Sequence, residues 1–152
     1  MTHYIRRPNL GQDRGQALIE TAIALPLLLL VSVSIFEFGR AYQTSQVITN
    51  AAREGARAAV MPGTTVADVK ARVKGYMHDG ELGNYNIATV TVDQNKVVAI
   101  GAINASATMV KVDYPFSFML LNPVAKLVTK SSTAGGSAIM LSASAQMRNE
   151  AQ

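Results

Sequence analysis

The chain has 152 residues, of which 49% are hydrophobic, 16% charged and 6% aromatic, and it contains neither Trp nor Cys. Such a length suits one modest domain with an anchor and excludes a large multidomain enzyme, while the lack of Cys excludes a disulfide framework, a thiol nucleophile and a zinc-thiolate site. The formal charge of +4 gives little support to a nucleic-acid surface, because beyond residue 15 the Lys and Arg residues stand singly, without interleaved aromatics.

The N-terminal stretch is basic: Arg6, Arg7 and Arg14 against Asp13 leave it at 3 − 1 = +2. An apolar run follows. Thr21 to Phe36 contains no charge, but as a helix it spans only roughly 24 Å against a hydrocarbon core of roughly 30 Å. Starting at Ala17 supplies the missing length and encloses Glu20, one turn inside the span. Because Glu37 and Arg40 cancel after the span, the basic leader predicts an N-terminus on the cytoplasmic side and a C-terminal part outside. Glu20 alone reads as an interfacial carboxylate that snorkels to the headgroups. Pro26 removes the hydrogen bond to the Ala22 carbonyl, leaving either a harmless bend or a soft point for a helix drawn from bilayer into filament. A rival reading treats the run as a removable signal peptide, with small residues at Ser32-Val33-Ser34 for a signal peptidase. Glu20 at the entry to the run and the lack of a helix break after it argue against that.

Helical patterning continues beyond Phe36 to Val60, where Met61-Pro62-Gly63 ends it. Ala51, Ala52, Gly55, Ala56 and Ala59 form a small-residue stripe along this outer half. Small residues admit a close neighbour, either the domain's own sheet or, through Ala52, Gly55 and Ala56, another subunit. Arg53, Glu54 and Arg57 read as a solvated face. A second helix fits Thr65 to Asp79, capped by Thr64 or Thr65 and stopped by Gly80, with Val66, Val69, Val73 and Met77 on one face.

"NIATVTVDQNKVVAI" reads as a strand, a Gln94-Asn95 turn and a second strand. Val110, Val112 and Tyr114 alternate with Lys111 and Asp113 up to Pro115, and Ile139, Leu141, Ala143, Ala145 and Met147 alternate with polar residues. The fold expected is α+β: a long N-terminal helix whose outer half covers a small antiparallel sheet, plus a short second helix. Residues 115–138 read as a long loop, either a core flap or a partner-binding segment.

"RGQALIETAIALPLLLL", "FEFGRAYQTSQVITNAAREGARAAV", "VDYPF" and "LSASAQMRNE" together resemble the TadE-like family, the minor pseudopilins of tight-adherence pilus systems. The likeness is strongest from Arg14 to Val60, where "AAREGAR" is the most specific part outside the leader. Within it, the basic leader, Gly15, "QALI", Glu20 and the apolar run resemble a type IV prepilin signal. The resemblance implies cleavage after Gly15 by a prepilin peptidase, leaving Gln16 as the new N-terminus and Glu20 as mature residue five. Thr21 departs from the aromatic that often follows the Glu, and Gln16 from the Phe with which many type IV pilins begin.

On this resemblance the domains are a leader, 1–15, a transmembrane half-helix, 16–36, and an outer α/β domain, 37–152. The protein is then a single-pass, inner-membrane assembly subunit. Its implied partners are the peptidase, another minor pseudopilin, the major pilin, an inner-membrane platform with its ATPase, and membrane lipid. No nucleic acid, cofactor or metal is expected. His3 and His78 stand apart, the outer acidic residues show no motif spacing, and no phosphate-cradling Gly loop follows a strand, so no enzyme is expected. A membrane-anchored envelope-binding protein that joins no filament is the alternative.

Overall fold

The structure is a computed structural model that describes residues 10–100, 103–123 and 138–149. Its elements run α1 (Leu10–Ala59), α2 (Val66–Asp79), a short 3-10 turn (Tyr85–Ile87), β1 (Thr89–Ile100), β2 (Ile103–Phe116) and β3 (Ile139–Arg148). The class is α+β, with a long apolar N-terminal helix, a short second helix and a small antiparallel sheet. The chain divides into two compact units, Met1–Phe36 and Glu37–Gln152.

In the second unit the sheet order is β1-β2-β3, so β2 is central. Its alternation sets one apolar face: Val90 lies opposite Val112, which lies opposite Ala143, and Val92, Val110 and Ala145 form the next row. That face is covered by Ile48, Ala51, Ala52 and Ala56 of α1 and by Val69, Val73 and Met77 of α2 in one core cluster. Val66, expected on the same face of α2, is 38% exposed instead. Helix α2 begins at a capping box, the Thr65 hydroxyl accepting from the Asp68 amide and the Asp68 carboxylate accepting from the Thr65 amide.

Two sequence expectations are corrected. Gln94-Asn95 is not a hairpin turn: β1 runs through it, and the register shift between Asp93 and Lys96 makes it a bulge. Asp93 faces Met109 and Lys96 faces Ala107, so two residues of β1 stand against Thr108 alone. Asn149 holds this irregularity. Its Nδ2 donates to the Gln94 carbonyl (3.3 Å) and to Ser106 Oγ (2.9 Å), while its Oδ1 accepts from the Thr108 hydroxyl (2.8 Å). The strand reverses instead between the paired residues Ile100 and Ile103. Pro115, expected to end its strand, lies inside β2 opposite Met140. The expected 115–138 loop therefore begins only after Phe116, its end before Ile139 is where the sequence places it, and its Gly135-Gly136 pair lies outside the described residues.

Candidate functional site

In the first unit every described side chain from Gln16 to Ser32 is exposed, Glu20 and a row of leucines included. The part of α1 from Gly15 to Ala59 contains an 18-residue window of mean hydropathy 2.3, 0% of it buried. It is long and apolar enough to cross a membrane. A core helix of a soluble domain would be covered by its own fold; this one is not, and so large an apolar surface needs lipid or another chain as its neighbour.

Gly15 fills no tight space. A Cβ placed there would meet nothing within 4 Å. Because glycine in a helix interior is destabilising by roughly 0.5–1 kcal/mol relative to alanine, packing inside this chain gives no reason for it. Glu20 lines a shallow groove on the helix surface with Ala17, Thr21, Ala24, Leu25 and Leu28. Thr21 donates back to the Ala17 carbonyl at 2.8 Å, which satisfies its hydroxyl within the helix. Pro26 is inside α1, which continues through it. Ser32 and Ser34 likewise donate to the Leu28 and Leu30 carbonyls (2.9 and 2.8 Å), so the helix is unbroken at the small residues a signal peptidase would need.

The small-residue stripe is resolved differently from the assembly residues expected at Ala52, Gly55 and Ala56. Ala52 and Ala56 have 0% exposure, and a Cβ on Gly55 would come within 2.4 Å of Val73 and 3.2 Å of Val110. The stripe thus seats α2 and the sheet of its own domain and offers no surface there to a second subunit. Glu54, beside it, is not simply solvated: its Oε1 accepts from Arg72 Nη2 at 2.8 Å and from Nε at 3.2 Å, joining α1 to α2.

In the sequence Glu37 and Arg40 stand out only as cancelling charges. Glu37 is in fact fully buried, its Oε2 3.3 Å from Arg40 Nη2. Its Oε1 accepts from the Leu120 amide. Arg40 Nη2 also donates to the Ser117 carbonyl at 2.6 Å, and its guanidinium lies 4.9 Å from the Phe116 ring centroid. Phe118 meets both Phe38 and Phe116 edge-to-face, at 6.1 and 5.3 Å between centroids. Residues 117–120 are therefore bound to α1, one turn of which supplies both members of the charge pair. The i,i+3 spacing and the Phe-rich "PFSF" were visible signals; their meeting across 77 to 83 positions was not.

A recess of about 350 Å³ beside this pair is lined by Arg40, Thr44, Glu81, Leu82, Tyr114 and Phe116, among others. Among the described residues, no group of three His, Cys, Asp or Glu side chains could hold a metal ion. Two carboxylates elsewhere are held below the usual range. For Asp68 the cause is the Thr65 hydroxyl and then the Thr65 amide; for Asp113 it is the Ser142 hydroxyl and then Lys111.

Residues 15–57 match the family model described as TadE-like protein, in agreement with the resemblance carried by this stretch of sequence. The matched segment begins at Gly15 and ends at Arg57, wholly within α1. No curated protein and no solved structure matches the chain.

Proposed function

We propose, taking the TadE-like match of helix α1 as the premise, that the protein is a minor pseudopilin, a structural subunit that acts in initiation or at the tip of a tight-adherence pilus. One observation carries this reading: within the matched segment an exposed apolar helix bears a glycine with no packing role at position 15 and a lone exposed carboxylate five residues later. A prepilin peptidase cutting after Gly15 frees an α-amine at Gln16. On a helix, residue 20 lies roughly 6 Å further along the axis. The new amine adds its charge to the positive end of the helix dipole, and Glu20, on the same chain or on a neighbour staggered by one turn, neutralises it. An unpaired charge in an apolar filament interior is strongly unfavourable, so the pairing selects one stagger. Glu20 is then the register residue, and Pro26 a point where the helix can adjust as it leaves the bilayer.

In this reading the basic leader stays cytoplasmic, α1 crosses the inner membrane once, and the domain from Glu37 lies outside. Its partners are the peptidase, a second minor pseudopilin, the major pilin, the ATPase-driven platform and membrane lipid. The bulk subunit of such pili is, by family resemblance, little more than a helix, so a lattice built for it has no room for this domain at each position. At an end the domain can protrude.

The mature N-terminus tests the reading. Mass spectrometry should find a chain of 152 − 15 = 137 residues beginning at Gln16. A chain beginning at Met1 would favour an envelope-binding protein outside any filament, and one beginning near Ile35 a secreted domain. In sheared pili the protein should be scarce beside the major pilin, while its deletion abolishes piliation; near-equal stoichiometry contradicts the minor role.

A further inference from the structure

We infer that Phe38, Tyr42, Met119 and Leu120 form a collar that sits in the outer interface of the membrane, fixed at that depth by the Glu37–Arg40 pair. The inference rests on the membrane-anchored reading of α1 and adds a lipid-binding surface on the outer domain.

Depth follows from bonding. Phe36 ends the uncharged run, and Glu37 is the next residue. The Leu120 amide donates directly to the Glu37 carboxylate, so residues 119–120 are held at the level of the helix where the run ends. One residue is a rise of roughly 1.5 Å, so Phe38 lies roughly 3 Å beyond Phe36, within an interfacial layer of roughly 5–8 Å on each side of the hydrocarbon, and Tyr42, at roughly 9 Å along the axis, reaches its outer edge, a height that helix tilt lowers.

Its chemistry suits that layer. Phe38 is 63% exposed, Tyr42 68%, Met119 64% and Leu120 43%. Large apolar side chains this exposed are unfavourable in water, and Tyr42, an aromatic ring with a polar handle, is of the kind that concentrates where acyl chains meet headgroups. The first carboxylate after the run is withdrawn from the same level: Glu37 is fully buried and paired with Arg40, whose side chain as a whole retains 29% exposure. A bare carboxylate would repel anionic phosphates, whereas its pairing with a partly exposed arginine side chain removes that repulsion. The loop is held to the helix so that it covers the acid and presents its apolar residues.

The absence of Trp from the chain makes the test direct. Single-Trp variants of the full chain, Leu28→Trp in the span, Met119→Trp in the collar and Ser144→Trp on the polar face of β3, are reconstituted in phosphatidylcholine–phosphatidylglycerol vesicles. Bromine-labelled lipids serve as quenchers. Leu28→Trp should be quenched most by deeply brominated chains, and Met119→Trp at least two-fold by bromines near the headgroup, with blue-shifted emission. Ser144→Trp should be unaffected. A Met119→Trp signal matching that of Ser144→Trp while Leu28→Trp is quenched overturns the collar and leaves the anchor standing. Blue-shifted emission at position 119 without quenching assigns the surface to a protein neighbour and also overturns it. An unquenched Leu28→Trp overturns the anchor and the collar together. Phe38→Ser combined with Met119→Trp should weaken the quenching at 119; unchanged quenching would remove Phe38 from the collar.

Discussion

Val73 Cγ2 stands 2.4 Å from where a side-chain carbon would begin on Gly55, and Val110 closes the other side at 3.2 Å. Helix α1 can lie against α2 and β2 only because residue 55 has no side chain. Overpacking at such a site costs roughly 1–3 kcal/mol, partly offset for alanine by its helix propensity advantage of roughly 1 kcal/mol. Gly55→Leu should therefore destabilise the outer domain far more than Gly55→Ala. Gly75, exposed on α2 with nothing within 4 Å, is the control. Gly75→Ala should stabilise by about 0.5–1 kcal/mol, and urea midpoints of the three variants give the order.

The Glu37–Arg40 pair should respond asymmetrically. Arg40→Met leaves a fully buried carboxylate with the Leu120 amide as its hydrogen-bond donor, a change that typically costs roughly 3–5 kcal/mol. Glu37→Gln keeps an acceptor for that amide and releases an arginine that already reaches solvent, so its loss should be about 1 kcal/mol. Hydrogen exchange at Leu120 should accelerate strongly in the first variant and little in the second. Equal effects would mean that the carboxylate is hydrated.

Acid sensitivity should have an identifiable part. Asp68 is held below the ordinary carboxylate range by the Thr65 hydroxyl and amide, and Asp113 by Ser142 and Lys111. A depressed folded-state value means that these carboxylates stabilise the fold above their unfolded value, near pH 4, and that the contribution disappears as pH falls through the folded value. Asp68→Asn should therefore differ from wild type at pH 7 and converge with it as pH falls through the lowered folded-state value. Thr65→Ala, which removes the cap itself, should cost about 1 kcal/mol at neutral pH. Thermal melts across pH 2 to 7 provide the comparison.

Two variants at the N-terminal site separate processing from assembly. Gly15→Val should leave the leader attached, since a branched side chain beside the scissile bond obstructs the peptidase while, with nothing within 4 Å, the helix itself accepts it. Glu20→Ala should be cut and inserted normally, because the span becomes more apolar, and should then fail to enter pili. Full piliation with Glu20→Ala would refute the pairing of amine and carboxylate.

Local periodicity made the helices and the central strand readable. Val69, Val73 and Met77, or Val110, Val112 and Tyr114, each declare a face with no knowledge of their neighbours. What stayed hidden depends on distant partners. Gln94-Asn95 has turn composition, yet Asn149 supplies side-chain hydrogen bonds that let a strand pass through it. Gly80 does end α2 as its C-cap, but without a left-handed conformation of its own: its φ is −80°, and the left-handed residue is Glu81 at 59°. Gly80 is small because Val47 would lie 2.6 Å from its Cβ. At the N-terminal end the order of basic leader, Gly15, Glu20 and apolar run stands out through its resemblance to a prepilin signal, and its role in processing belongs to the proposal. The burial of Glu37 was not legible, because it depends on a loop some eighty positions away.

The bulge in β1 has a consequence for how the strands find each other. Thr89 to Val92 and Val110 to Asp113 alternate so regularly that sliding one strand by two residues would keep apolar side chains on the same face, and patterning would not penalise the error. The one place where the ladder counts two residues against one acts as an index mark. Asn149, bonded at once to Gln94, Ser106 and Thr108, fits when β1, β2 and the residue after β3 are all correctly aligned. A mispaired sheet lacks that set of bonds and leaves the Thr108 hydroxyl, which is 1% exposed at the residue level in the native sheet, without its acceptor. One asparagine beyond the last strand thus proofreads the alignment of the whole sheet.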